Sequence, residues 1–194
     1  FIVAELSGNH SGSLSKALRL IKLAKKSGAD AVKIQTYTPE DITLNVNRKD
    51  FVINNKYGPW NKKKLFDLYK KAHTPIEWHK KIFQYAKKLK IICFTSVFNE
   101  KRIAFLEKLG CPAYKIASFE NNHYPLIKSV LKTNKPVIVS TGMMNLKEIS
   151  ELVIFLKKYR TKNLAILKCT SSYPSKIEEA NISTIPYLRK KFKN

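Results

Sequence analysis

Apolar residues follow two rhythms along this chain, short continuous runs and helix-spaced repeats, and the two alternate from one end to the other. The runs predict strands over residues 2–6, 31–37, 91–97, 113–120, 136–140 and 164–169. After the first, Leu14, Ala17, Leu18, Ile21 and Ala24 recur at helical spacing with Arg19, Lys22 and Lys26 on the far side, and Gly28 supplies the stop. Thr74-Pro75-Ile76-Glu77 reads as a capping box with Pro at the first helical position, opening a helix through Trp78, Ile82, Phe83 and Ala86; a shorter helix over 65–69 precedes it. Asn99 caps a helix that turns Ile103 and Leu106 inward, and residues 126–132 form another. Asn145 with Glu148 three residues on opens a helix bearing Ile149, Leu152, Val153 and Leu156, and a last helix covers 184–193. Strands alternating with helices and no long polar linker make residues 1–194 a single α/β domain. Residues 38–90 are a long insertion after the second strand, and 38–60, with little periodicity, reads as a lid over the strand ends in preference to a long surface loop.

Polar residues interrupt the apolar runs at consistent places. Glu5 sits in the first, Lys33 and Gln35 in the second, Ser96 in the third, Lys115, Ser118 and Glu120 in the fourth, Ser140 in the fifth and Lys168 in the sixth. Asn9 and His10 follow the first strand, and Ser171 and Tyr173 follow the sixth. Each lies at or near a carboxyl end, and they are spread over most strands rather than gathered at one switch point. This predicts a (β/α)8 TIM barrel, of which the chain supplies about six β/α units. In the fourth run strict alternation puts Ser118 and Glu120 on one face and Lys115 on the other, so a pocket using all three needs a bulge or an early strand end. Lysines with several small hydroxyls suit a phosphate, and Glu5 and Glu120 among them suit an acid, a base, or a group that orients water or a sugar hydroxyl. The competing readings are a solvated edge strand over 113–120 and local ion pairs for the lysines. His10 reads either as a group at the pocket mouth or as a satisfied loop histidine, and His73 and His79 as helix-surface or packing groups.

Charge widens the range of partners. Lys and Arg number 37 against 14 Asp and Glu, a formal net charge of +23, which raises nucleic acid, anionic membrane and phosphorylated ligands. Most lysines, such as Lys22, Lys25, Lys26, Lys70, Lys71, Lys87 and Lys88, fall where a helix has its solvated face. A basic nucleic-acid-binding domain is therefore kept as the alternative function, resting on the tract 56–71 with Tyr57, Trp60, Phe66 and Tyr69. The apolar spacing of that tract suits a packed helix better. Cys93, Cys111 and Cys169 lack metal-type spacing and read as thiols in a reducing cytoplasm, and the histidines make no paired metal motif. No run is long enough to span a membrane, no signal peptide is seen, and no membrane partner is expected. Dinucleotide fingerprints, Walker loops and nucleophile elbows are absent from the sequence.

The segments Ala4-Glu5-Leu6-Ser7-Gly8-Asn9-His10, Val32-Lys33-Ile34-Gln35-Thr36-Tyr37, Tyr114-Lys115-Ile116-Ala117-Ser118-Phe119-Glu120, Ser140-Thr141-Gly142-Met143 and Cys169-Thr170-Ser171-Ser172-Tyr173-Pro174 together resemble the sialic acid synthase family. The stretches from Gln35 through Thr43 and from Ala72 through His79 look more like its pseudaminic acid synthases than its N-acetylneuraminate synthases. The resemblance implies condensation of phosphoenolpyruvate with the open-chain aldehyde of an N-acylated amino sugar, releasing phosphate and giving a nonulosonic acid for cell-surface carbohydrate. It implies that Lys33, Lys115, Ser118, Ser140 and Ser171 hold phosphoenolpyruvate, that Glu5 and Glu120 handle water and sugar hydroxyls, and that Tyr173 lies against the sugar. It also implies a divalent metal, Mn²⁺ or Mg²⁺, whose histidine ligands stand beyond Asn194, and a homodimer completed by a C-terminal antifreeze-like domain that this chain lacks. Ser171 stands where sialic acid synthases usually have Asn, and Val97 where Pro is common. With no initiator Met and six of eight units, the chain is expected to be the first part of a longer cytoplasmic enzyme.

Overall fold

A computed structural model describes residues 1–56, 58, 60–159, 163–172 and 175–192. The chain forms two compact units, Phe1–Cys111 and Pro112–Asn194.

The first unit runs β1 (Val3–Glu5), α1 (Leu14–Lys26), β2 (Ala31–Thr36), α2 (Pro39–Ile42), α3 (Leu65–Ala72), α4 (His79–Lys88), β3 (Ile92–Val97) and α5 (Ile103–Lys108). β1 pairs parallel with β2 and β2 with β3, setting Glu5 opposite Lys33, Ile34 opposite Thr95 and Gln35 opposite Ser96. Ala17 and Ile21 of α1, Val32 and Ile34 of β2 and Ile82, Phe83 and Ala86 of α4 are buried and form the core. Burying side chains of the Ile21, Ile34 and Ile82 kind contributes about 1.5–3 kcal/mol each. α1 starts where Ser13 Oγ accepts the Lys16 N–H at 3.2 Å, and stops at Gly28, whose φ of +86° a side chain would strain.

The helix-facing side of these strands also carries hydroxyls, and the fold accounts for their hydrogens. His79, fully buried, has Nδ1 3.1 Å from the Pro75 carbonyl and Nε2 2.9 Å from Thr36 Oγ1. A carbonyl only accepts, so Nδ1 carries the proton and Nε2 accepts from the Thr36 hydroxyl. The Thr36 hydrogen being spent, Thr95 is the donor across the 2.7 Å Thr36–Thr95 contact, and the same hydroxyl shares its hydrogen with the Ile34 and Ser96 carbonyls at 3.2 and 3.0 Å. Burial holds the imidazole neutral, with its pKa lowered to about 4.

One expectation in this unit is corrected. Thr74 does not cap a helix: its hydroxyl is buried 3.4 Å from His10 Nε2, and the chain enters a 3₁₀ turn over Ile76–Trp78 without a side-chain cap before α4 begins at His79. Among its described residues, 38–60 carries local order of its own. Thr38 and Asp41 form a capping box around α2, with Pro39 at its start, and Asp41 also accepts from the Asn99 amide at 2.7 Å and the Arg102 guanidinium at 3.3 Å. Burial pushes the Asp41 carboxyl up, but the Thr38 N–H, Asn99 and Arg102 outweigh it and hold the pKa below the usual range. Lys49–Phe51 adds a 3₁₀ turn, and Val52 bridges Lys64.

The second unit runs β4 (Tyr114–Ile116), α6 (Tyr124–Leu131), β5 (Val137–Ser140), α7 (Leu146–Lys158), β6 (Leu164–Leu167) and α8 (Thr184–Phe192). β4 pairs parallel with β5 and β5 with β6. Tyr114, Ile116, Val137 and Val139 turn one face into a core with Leu126, Ile127, Val130, Leu152 and Leu156. The Asn145–Glu148 capping box forms as expected, with Asn145 Oδ1 accepting the Glu148 N–H at 3.0 Å and Glu148 Oε2 accepting the Asn145 N–H at 2.7 Å.

Candidate functional site

In the first unit the parallel register brings Glu5, Lys33, Gln35 and Ser96 onto one face. Lys33 Nζ pairs with Glu5 Oε2 and donates to Ser96 Oγ at 3.0 Å, while Glu5 Oε1 accepts the Ser7 N–H at 3.1 Å. The ammonium is thus held by one carboxylate and one hydroxyl, at 11% side-chain exposure against 40% for Glu5. Asn9 and Glu5 border a hollow of about 230 Å³ against Leu20, Leu23 and Ala24 of α1. His10 is not at a pocket mouth. It is buried edge-on to Trp78 at 5.4 Å, its Nδ1 accepts the Gly12 N–H at 3.2 Å, and burial, then His73 and Lys16, lower its pKa. Of its two sequence readings, the satisfied loop histidine is the one observed. Tyr37 is packed against Phe98 and Tyr69 at 5.2 and 6.0 Å.

In the second unit β4 ends early, at Ile116, and Ser118–Glu120 turn into a 3₁₀ segment. The early end removes the alternation conflict: Lys115, opposite Ile138, shares a face with Ser140 two residues along β5, and the turn carries Ser118 and Glu120 beyond it. Gly142 follows β5, and a side chain there would have its Cβ 2.6 Å from Ser118 Oγ and closer still to Ser171 Oγ. The two hydroxyls therefore converge on one point beside the Gly142 Cα. The Ser140 Oγ and Glu120 Oε2 are buried with no hydrogen-bond partner among the described residues. Burial raises the Glu120 pKa to about 7, against the opposing pull of Lys115. A half-protonated carboxyl, converging hydroxyls and unspent buried polar atoms are the chemistry of a site that takes an oxygen-rich ligand.

Lys168 does not join this group. Ser140 is opposite Leu167, so Lys168 has the opposite parity, and its Nζ donates to the Ala180 carbonyl and to Thr170 Oγ1 at 2.9 Å. It lines a hollow of about 310 Å³ with Ile185, Leu188 and Arg189 of α8. The expected role of Tyr173 lies outside the described residues. Among the described residues no three His, Cys, Asp or Glu side chains gather as a metal site, and no helix is long and apolar enough to cross a membrane.

Residues 20–194 match the model of the NeuB family. The chain belongs to the NeuB family. This NeuB-family chain is 48% identical over 192 residues to a pseudaminic acid synthase of Campylobacter jejuni, covering 99% of this chain and 55% of that protein. It is 43% identical to the pseudaminic acid synthase of Helicobacter pylori, over 96% of this chain and 54% of that protein. It thus spans about half the length of the curated relatives it matches. A solved N-acetylneuraminic acid synthetase from Leptospira borgpetersenii, in complex with citrate, superposes with a TM-score of 0.85 at 29% identity, over 98% of this chain and 61% of that one. A truncated 3-deoxy-D-arabino-heptulosonate 7-phosphate synthase from Thermotoga maritima, at 13% identity and a TM-score of 0.65, shares the fold. The NeuB-family chain is thus a partial (β/α)8 barrel.

Asn121 and Gly142 are functional candidates that residue-type reasoning passed over. Gly142 had a signal, the Ser-Thr-Gly turn directly after a strand; Asn121 had none, because its role depends on which backbone carbonyl it meets.

Proposed function

We propose that this chain carries substrate-binding and acid–base groups of a nonulosonic acid synthase, an enzyme condensing phosphoenolpyruvate with the aldehyde of an N-acylated amino sugar and releasing phosphate. The observation that carries the reading is the convergence of Ser118 and Ser171 beside Gly142, with Ser140 and Glu120 offering unspent polar atoms. Hydroxyls donate to phosphate and carboxylate oxygens, and Lys115 adds the positive charge that such a dianion needs. As C3 of phosphoenolpyruvate bonds the aldehyde carbon, C2 becomes open to water. Glu120, near half-protonation at neutral pH, can take a proton from the water that adds there and return it to the bridging oxygen as the C2–O bond to phosphate breaks. The second water proton, lost as the C2 carbonyl forms, balances the one taken up by the aldehyde oxygen. In the first unit Lys33, already paired with Glu5, could exchange that carboxylate for a ligand oxygen, freeing Glu5 toward a sugar hydroxyl. The pseudaminic acid synthases among its relatives make the pseudaminic series the favoured product. A divalent metal, a homodimer and a cytoplasmic location belong to the same proposal; the described residues supply no metal cluster, so no step here passes through one.

The test has two parts. The 194-residue chain should bind phosphoenolpyruvate in a calorimetric titration, and the same sequence in a chain of its relatives' full length should release phosphate only when an N-acylated amino sugar is present. Phosphate release that ignores the sugar, or no binding of phosphoenolpyruvate by either chain, would overturn the proposal.

A further inference from the structure

Asn121 is buried at 6% exposure directly after the Ser118–Glu120 turn, and its Nδ2 donates to the Gly142 carbonyl at 2.9 Å. This hydrogen bond ties the segment leaving β4 to the segment leaving β5. The latter is held from its other side as well: the Thr141 N–H and hydroxyl both donate to the Leu167 carbonyl, at 3.0 and 2.9 Å, at the end of β6. Beyond Gly142 the backbone turns sharply, Met143 taking a φ of +67° that a methionine adopts only when its surroundings hold it there, and the Met144 N–H closes the turn on the Thr141 carbonyl at 3.3 Å. Gly142 therefore sits in a segment fixed at both ends. What is fixed is the wall against which Ser118 and Ser171 converge, a wall with no room for a Cβ.

We infer that Asn121 is a positioning residue for ligand binding: through the Gly142 carbonyl it sets the spacing between the Ser118 and Ser171 hydroxyls, without touching the ligand. The inference rests on the reading of this group as the phosphoenolpyruvate site. A buried amide that meets a carbonyl through its NH₂ is a directional strut, and hydroxyls that must both reach one ligand oxygen lose most of their value when they shift by about 1 Å. A water in place of the amide would satisfy the carbonyl but would not fix its distance from β4.

The variants are Asn121→Ala, which removes the strut, and Asn121→Asp, which keeps its shape but sets a carboxylate against the Gly142 carbonyl. Both are placed in a chain of the relatives' full length. The expected result is a KM for phosphoenolpyruvate raised about tenfold by Asn121→Ala and further by Asn121→Asp, with the KM for the amino sugar within about twofold of the parent. Circular dichroism and melting separate this from misfolding, and titration with phosphoenolpyruvate and with inorganic phosphate reads the same loss without turnover. A parent that binds neither phosphoenolpyruvate nor phosphate sinks the site reading itself. A parent that binds phosphoenolpyruvate while the folded Asn121→Ala and Asn121→Asp proteins bind it equally well, or lose both KM values together, sinks only the role given to Asn121.

Discussion

Two groups of polar side chains, one in each unit, the first buried and the second buried to half-buried, are built from similar residues and end in opposite states. Around Thr36, Thr95 and His79 every hydrogen has a destination: imidazole to the Pro75 carbonyl, Thr36 to imidazole, and Thr95 to Thr36 and the Ile34 and Ser96 carbonyls. Around Ser118, Gly142 and Ser171 the hydroxyls crowd together, yet Ser140 Oγ and Glu120 Oε2 find no partner among the described residues. A buried donor or acceptor left unmade costs about 1–3 kcal/mol, so a fold tolerates it where a ligand supplies the missing partner. The difference teaches that residue type does not separate a structural cluster from a binding one; the completeness of its hydrogen bonding does.

Acid should break the comparison most visibly. The His79 pKa is about 4 in the fold against about 6.5 unfolded, so between those values the unfolded chain binds the extra proton and stability rises with pH. Glu120 has the opposite sign. Its folded pKa of about 7 lies above the unfolded value, so its contribution is full in acid and is lost as pH rises through 7. In the parent the two slopes oppose, and Glu120→Gln removes the second, leaving His79 together with His10, whose pKa burial also lowers. That variant should lose about 3 kcal/mol between pH 6.5 and pH 4 in the protection of β2 and β3 amides against hydrogen exchange, an effect that Glu120→Gln with His79→Leu cuts to the share that His10 supplies. Flat protection in Glu120→Gln over that range would show that His79 is not held neutral.

Crowding at Gly142 comes next. Gly142→Ala puts a methyl where Ser118 Oγ would be 2.6 Å away, so the hydroxyls must part or the turn must shift. We expect phosphoenolpyruvate affinity to fall about a hundredfold, with a smaller change in melting temperature. A variant that binds as well as the parent would mean that the convergence has no bearing on the ligand.

Lys115→Met sharpens the electrostatic side. Lys115 opposes the burial that raises the Glu120 pKa, so its removal should move the Glu120 side-chain carboxyl titration, followed by ¹³C NMR, further upward. A downward move would mean that the Lys115 ammonium does not pull this carboxyl toward its charged form.

How much of this was legible in the sequence follows from the same distinction. The strands were legible because buried parallel strands are apolar runs, and Glu5, Lys33, Ser118, Glu120 and Ser140 stood out because polar groups in such runs need a reason. Lys168 misled because its parity relative to Ser140 depends on the β5–β6 register, which no local pattern states. Thr74 misled because a capping-box sequence specifies a cap only when nothing else claims the hydroxyl, and buried His10 does. The Thr38–Asp41 box was present in the letters but lay in a stretch without apolar period. Asn121 was beyond reach because its partner is a backbone carbonyl 21 residues away.

The smallest expected effect is the most discriminating. Ser140→Ala deletes an oxygen that has no hydrogen-bond partner among the described residues, on a side chain at 1% exposure. Removing a satisfied buried hydroxyl costs a hydrogen bond and strands its partner; removing an unsatisfied one strands nothing and relieves a desolvated atom. Stability should therefore stay within about 0.5 kcal/mol of the parent or rise slightly in a denaturant titration. Thr36→Val should instead cost about 1–3 kcal/mol, because it strands the buried His79 Nε2 without its donor, while Thr95 keeps the Ile34 and Ser96 carbonyls. If Ser140 is kept for a ligand, the same Ser140→Ala protein should bind phosphoenolpyruvate about tenfold more weakly, the loss of one hydrogen bond to a charged oxygen. A Ser140→Ala protein as destabilised as Thr36→Val would place Ser140 in the structural class and remove the contrast on which the site assignment stands.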